Sequence, residues 1–128
     1  MAIRIVQLGT PRVRGEGLRV GTVRRPPRGV PKAEFAARDY YDAWLPDLAP
    51  SYQLVAVGLR ARDERAWRAF VKRYRSEMKR PPAARLLGLL AALSHHTNLS
   101  VGCYCADDTR CHRSVLRELL LEHGAHLE

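Results

Sequence analysis

The sequence predicts a small α/β fold, with helices packed on a sheet that contains at least one parallel pairing. Three observations lead there: an alternating apolar segment opens the chain, helical periodicities fill its middle, and an apolar strand runs into an amphipathic helix at its end. The 128 residues, 46% of them hydrophobic, fit one domain with one core.

Ile3, Ile5, Val6 and Leu8 alternate loosely over residues 2–8, a strand ended by Gly9-Thr10-Pro11. Leu18 to Val23 is a second strand, halted by Arg24-Arg25-Pro26-Pro27-Arg28-Gly29. Tyr40 to Leu45 is a third strand candidate, stopped by Pro46. Residues 51–60 are ambiguous: Leu54-Val55-Ala56-Val57 favours a strand, and Pro50-Ser51 favours a helix start with a serine cap. Trp67, Phe70, Val71, Tyr74 and Met78 fall at helical spacing, which makes them core residues. Asp63 is the cap of that helix and Pro81-Pro82 its end. Ala83 to Leu93 is a nearly all-apolar helix, and Leu99 to Tyr104 a buried strand. A final helix runs from about Thr109 to His123, with Gly124 as its stop. The closing Leu127-Glu128 has the look of a cloning scar and is given no weight.

No apolar run approaches a membrane span, and the N-terminus lacks the basic head of a secretion signal. The three cysteines lie within Cys103–Cys111, so no disulfide framework spans the fold and a reducing cytoplasm is expected. The net charge is +9, of which residues 1–38 hold +7: nine Lys/Arg against Glu16 and Glu34. Such a segment suits an anion-binding surface for phosphates or nucleic acid, although arginine richness alone also follows from base composition.

The segment from Cys103 to Arg113 concentrates the reactive side chains at a strand-to-helix turn, where ligands of parallel sheets favour binding. Cys111 and His112 open the final helix, whose unpaired N–H groups stabilise a thiolate or a bound anion. Four readings compete. Cys103, Cys105, Cys111 and His112 supply zinc ligand types. The spacing is uncommon for zinc, however, and adjacent helical residues point about 100° apart, so no stoichiometric zinc is expected. The second reading makes Cys105 or Cys111 a reactive thiol; Cys105 to Arg110 has the length of a rhodanese-type loop but lacks its glycines. The third gives His112 an acid, base or orienting role. In the fourth the cysteines are only core residues and Asp108 or Thr109 caps the helix.

Several ordered motifs resemble one family. Gly17-Leu18-Arg19-Val20, then Arg24, Pro27-Arg28-Gly29-Val30 and Lys32, is similar to the N-terminal signature of the YeaO-like proteins, domain of unknown function 488. Trp44-Leu45-Pro46-Asp47-Leu48-Ala49-Pro50-Ser51 resembles a second family motif, and Trp67, Phe70, Tyr74 and Glu77-Met78 a third. Cys111-His112-Arg113 is similar to the turn of one branch. The resemblance implies a small α/β fold, a helix over residues 51–60, and no settled activity. It directs attention to Arg24, Arg28-Gly29, the Asp42–Trp44 strand, and Cys105 with Cys111-His112-Arg113. Val23 and Pro26 depart from the family's Asp and aromatic at those positions, so any role of that Asp is missing.

Together these readings assign catalysis to His112, Cys105 and Cys111, and anion binding to Arg24, Arg28, Arg110 and Arg113. The expected ligand is a phosphorylated or nucleotide-like anion at the start of the final helix, near residues 109–113. The alternative is a non-catalytic nucleic-acid-binding module using the N-terminal arginines.

Overall fold

The computed structural model describes residues 1–105 and 111–128. Its strands are β1 (Ile3–Gln7), β2 (Leu18–Gly21), β3 (Ala43–Trp44) and β4 (Leu99–Cys103), and its α-helices are α1 (Tyr52–Arg60), α2 (Glu64–Met78), α3 (Ala83–Leu93) and α4 (His112–Glu122). The sheet order is β1-β4-β2-β3 and every pairing is parallel. The last strand of the chain therefore lies between the first two, and β4 is buried at all five positions. A parallel strand covered on both faces reads as a run of apolar and small residues, as residues 99–104 do.

Alternation along β4 sorts its side chains. Leu99 and Val101 join Ile3 and Val20 in the main core with Leu54, Phe70, Tyr74, Leu87 and Leu116 from the four helices. On the opposite face Ser100 donates to the Glu16 carboxylate at 2.8 Å. There Arg19, fully buried, forms a two-pronged pair with Glu16 (2.7 and 2.9 Å) and donates to the carbonyls of Thr10 and Asp39. These bonds satisfy all three guanidinium nitrogens inside the protein, as a buried charge requires.

The helix boundaries follow local chemistry. The Ser51 hydroxyl accepts from Leu54 N and donates to Glu77 of α2 at 2.6 Å, so one serine caps α1 and ties it to its neighbour. Asp63 caps α2 by accepting from Ala66 N at 2.7 Å. Gly58 lets α1 approach α2 closely: a Cβ there would sit 2.7 Å from Phe70 Cε2. Gly124, at φ +87°, ends the helical turn after α4.

Three sequence expectations are adjusted. The second strand stops at Gly21, although Thr22 N still bonds to Gly102 O at 3.0 Å. The third shrinks to Ala43–Trp44, because Asp39 at φ +63° and the turns before it keep Tyr40 and Tyr41 off the sheet. The final helix starts at His112, not Thr109, since Cys111 is extended (φ −130°, ψ 152°) and occupies the cap position without a side-chain cap bond. Asp108, Thr109 and Arg110 lie outside the described residues. Leu127 bridges to Ile3 and packs against the main core.

Candidate functional site: a cysteine–histidine centre at the sheet's carboxyl edge

β2 and β4 are neighbours in register, Gly21 opposite Gly102, so Thr22 and Cys103 emerge side by side at the carboxyl ends of adjacent strands. α4 begins against this edge. Cys103 and Cys111 are both buried and bring their sulfurs to 2.7 Å. His112 follows, with Nδ1 3.9 Å from Cys111 Sγ and Nε2 2.8 Å from Thr22 O. A carbonyl only accepts, so Nε2 carries the hydrogen and Nδ1 presents its lone pair to the sulfurs. The Tyr74 ring meets the imidazole edge-on at 5.7 Å and donates its own hydroxyl to Leu48 O.

The extended backbone of Cys111 is what allows this convergence. The 100° divergence expected of adjacent residues holds within a helix, and Cys111 precedes one. The candidate ligand atoms of Cys103, Cys111 and His112 all lie within 4.8 Å of one another.

Cys105 completes the centre and differs from the other two cysteines in being exposed. Hydrogen bonding with the Cys103 and Cys111 thiols holds its thiol below the ordinary range, helped by the positive charge of Arg113 and opposed by burial. The bond to Cys105 pushes Cys103 up. Cys111 is drawn down by its bond with Cys103, but its bond to Cys105 and burial outweigh that and leave it raised. Negative charge therefore belongs on the sulfur that water reaches. Burial holds the His112 imidazole below its ordinary value, against the Thr22 bond that favours the proton.

Cys105, Cys111 and His112 share a small pocket of about 90 Å³ with Pro50, Val55, Leu59, Trp67 and Phe70. Trp67 and Phe70 stack at 4.9 Å between centroids. Both were read from the sequence as core residues. They do pack with the core, yet they also wall this opening, and helical spacing alone could not separate the two roles. Thr22 was missed too, because it acts through a backbone carbonyl that no side-chain motif encodes.

The arginines are distributed differently from the cysteines. Arg24 donates to the carbonyls of Ala49 and Pro50, so it holds the pocket's rim. Arg28 is exposed beside Gly29 and makes no hydrogen bond or ion pair among the described residues. Arg110 lies outside those residues. Arg113 is buried and donates to Cys105 O at 2.6 Å, while its Nε has no partner among the described residues. It also lines a second cleft of about 530 Å³, with Arg4 and Arg117. Within the basic first third, Arg19 is spent on Glu16, Arg12 on Asp39 and Asp42, and Arg4 on Glu128.

An all-parallel sheet with helices packed on it and a thiol–imidazole cluster at its carboxyl edge defines an α/β protein with a centre placed where such sheets hold ligands. The chain belongs to the DUF488 family: a family model, DUF488-N3a, described as the active DUF488-N3 subclade, matches residues 3–124. No curated protein and no solved structure matches the chain. No helix among the described residues is long and apolar enough to cross a membrane.

Proposed function

We propose that the chain is a small enzyme acting on a nucleotide-like anion through the thiol–imidazole centre of Cys105, Cys111 and His112. One observation carries the reading: these three side chains share the floor of one pocket whose walls are apolar and aromatic. A pocket of that volume admits one flat group, such as part of a base, and leaves the rest of the ligand on the rim. Cys105 is the nucleophile, because it is exposed, lines the pocket beside His112, and is favoured as thiolate by the neighbouring Cys103 and Cys111 thiols. The Cys105 sulfur bonds to an electrophilic ligand atom as that atom's bond to its leaving group breaks; His112 Nδ1, holding the proton that Cys105 gave up, passes it to the leaving group, and water then releases the sulfur. Cys103 positions Cys111. Arg113 fixes the Cys105 backbone, and the start of α4 favours negative charge on the ligand. The family's description as an active subclade accords with catalysis. Three thiols kept free at such short range fit a reducing cytoplasm.

The test is a thermal-shift panel of nucleotides and sugar phosphates, coupled to alkylation of Cys105 mapped by mass. A true ligand raises the melting temperature and protects Cys105, and turnover is lost in Cys105→Ser and His112→Asn while binding persists. If no member of the panel shifts the protein or slows alkylation, the reading fails.

A second reading has its own observation. With Nε2 donated to a backbone carbonyl, His112 Nδ1 is oriented as metal-ligating histidines are, toward the sulfurs of Cys103 and Cys111. Against it, only three ligand atoms converge among the described residues, where a closed structural zinc takes four, and the exposed Cys105 is not one of them. The thiol reading therefore ranks first.

A further inference from the structure

The loop after β2 carries groups that the thiol–imidazole centre does not use. Residues 22–30 and 43–53 contribute Arg24, Arg25 and Arg28 against a single acidic residue, Asp47. Aromatic side chains hold this loop from three sides. Trp44 Nε1 donates to Val23 O at 2.7 Å, and Tyr104 Oη donates to Arg25 O at 2.8 Å. The guanidinium groups of Arg24 and Arg25 lie 5.6 and 5.0 Å from the centroid of the Tyr52 ring. Arg24 is then consumed by the Ala49 and Pro50 carbonyls, whereas Arg25 and Arg28 stay exposed. Trp44, anchored through its nitrogen, remains 44% exposed.

We propose that this surface binds a single-stranded nucleic acid, with phosphates on Arg25 and Arg28 and a base stacked on Trp44. The proposal rests on the reading of the centre as nucleotide-directed, and it names the polymer as the form in which the nucleotide arrives. Strand-binding surfaces combine exposed cations that track phosphates with aromatic faces that accept any base. A guanidinium seated over a ring has less freedom to lose when it meets a phosphate, and Tyr52 seats Arg25 in this way, 5.0 Å from its centroid. The surface is also coupled to the centre through the backbone. The loop leaves β2 at Thr22, whose carbonyl holds His112, and it is pinned by Tyr104, which stands between Cys103 and Cys105. Pro50, whose carbonyl holds Arg24, lines the pocket over Cys105. A strand lying on this loop would therefore present one nucleotide to the pocket mouth.

The test uses the full chain and a fluorescein-labelled oligothymidine of about 12 nucleotides, followed by anisotropy at salt between about 50 and 200 mM. Binding is expected, with affinity falling roughly tenfold in the Arg25→Ala/Arg28→Ala double variant and the log–log salt slope shallower by about 1.4, the contribution of two single-strand phosphate contacts. The Lys72→Ala/Arg73→Ala variant removes the same charge from an exposed stretch of α2 and is expected to bind as the parent does. In a Trp67→Phe background, tryptophan emission reports Trp44 alone and is expected to be quenched by the strand. Equal losses in the two double variants, equal affinity for a duplex of the same sequence, or no binding at the lowest salt would each overturn the proposal. Cys105 alkylation, measured without any oligonucleotide, reads the state of the centre separately, so failure of strand binding is distinguishable from failure of the catalytic reading.

Discussion

His112 Nε2 donates to Thr22 O across ninety residues of sequence, and this bond joins the first turn of α4 to the carboxyl end of β2. It fixes the imidazole tautomer, so the lone pair of Nδ1 faces Cys111 rather than solvent. It also sets the width of the gap between helix and sheet, in which the sulfurs of Cys103 and Cys111 meet. The orientation of the centre is thus a property of the sheet edge as much as of the Cys–His sequence.

Replacing His112 with alanine leaves Thr22 O without its side-chain donor and opens space beside Tyr74. Such a loss costs about 1–3 kcal/mol. Chemical denaturation is expected to show that loss, and the ring contact with Tyr74 is expected to disappear from the aromatic region of the NMR spectrum. Unchanged stability would mean that water replaces the imidazole at no cost and that the bond does not hold the centre.

The cysteines are expected to react in a fixed order. Cys105 is exposed and favoured as thiolate, whereas Cys103 and Cys111 are 2% and 3% exposed and held as thiols. Brief iodoacetamide treatment followed by peptide mass mapping should therefore label Cys105 first. Cys105→Ser should abolish the fast phase without transferring it to the buried pair. Labelling of Cys111 at a comparable rate in the folded protein would contradict the assignment of the nucleophile.

How far the sequence carried depends on which forces act locally. The helix over residues 64–78 was legible because Trp67, Phe70, Tyr74 and Met78 repeat on one face and Asp63 caps its own first turn. β4 was legible because Leu99, Val101 and Cys103 alternate with the small Ser100 and Gly102, a run that fits a strand buried on both faces. The third strand was overdrawn because Tyr40 and Tyr41 have strand propensity but pack with Phe35 and Tyr104 in a second cluster below the sheet edge. For the centre, Cys105, Cys111 and His112 were singled out from residue type, from their place at a strand-to-helix turn and from the family resemblance. Their arrangement was not, because it depends on the extended backbone of Cys111 and on the Thr22 carbonyl. The role of Arg19 was hidden for a similar reason. In the sequence it adds to a basic patch, and in the fold it neutralises Glu16 from three residues away.

That buried pair sets the response to acid. Glu16 pays for its burial through bonds from Arg19, Ser100 and Val13 N, which together hold its carboxyl at about 2 against an ordinary value of 4.5. A carboxyl whose folded value is depressed contributes stability above its unfolded value, and that contribution is lost as pH falls through the folded value. Stability is therefore expected to decline from about pH 4.5 downward, toward about 2. Glu16→Gln should flatten this part of the profile and cost on the order of 3 kcal/mol at neutral pH, since it leaves Arg19 buried without its counter-charge. An acid transition identical in the variant would place the responsible carboxylate elsewhere.

Metal content separates the two chemistries of the centre. Among the described residues only Cys103, Cys111 and His112 bring ligand atoms together, one fewer than a closed structural zinc takes. The four helices and the sheet also bury a core that stands without a metal, unlike small domains whose folding energy is their binding energy for zinc. Elemental analysis of the purified chain is therefore expected to give well under one zinc per molecule, and a chelator is expected to leave the melting temperature unchanged. The Cys103→Ser variant extends the test. In the thiol reading it removes one donor to the Cys105 thiolate, so alkylation of Cys105 slows at neutral pH while the fold persists. In the metal reading it removes a ligand, so bound zinc and stability fall together. One zinc per chain, lost with stability on chelation, would transfer Cys103, Cys111 and His112 from proton and thiol chemistry to ligation, with Cys105 left as the sulfur at the pocket mouth.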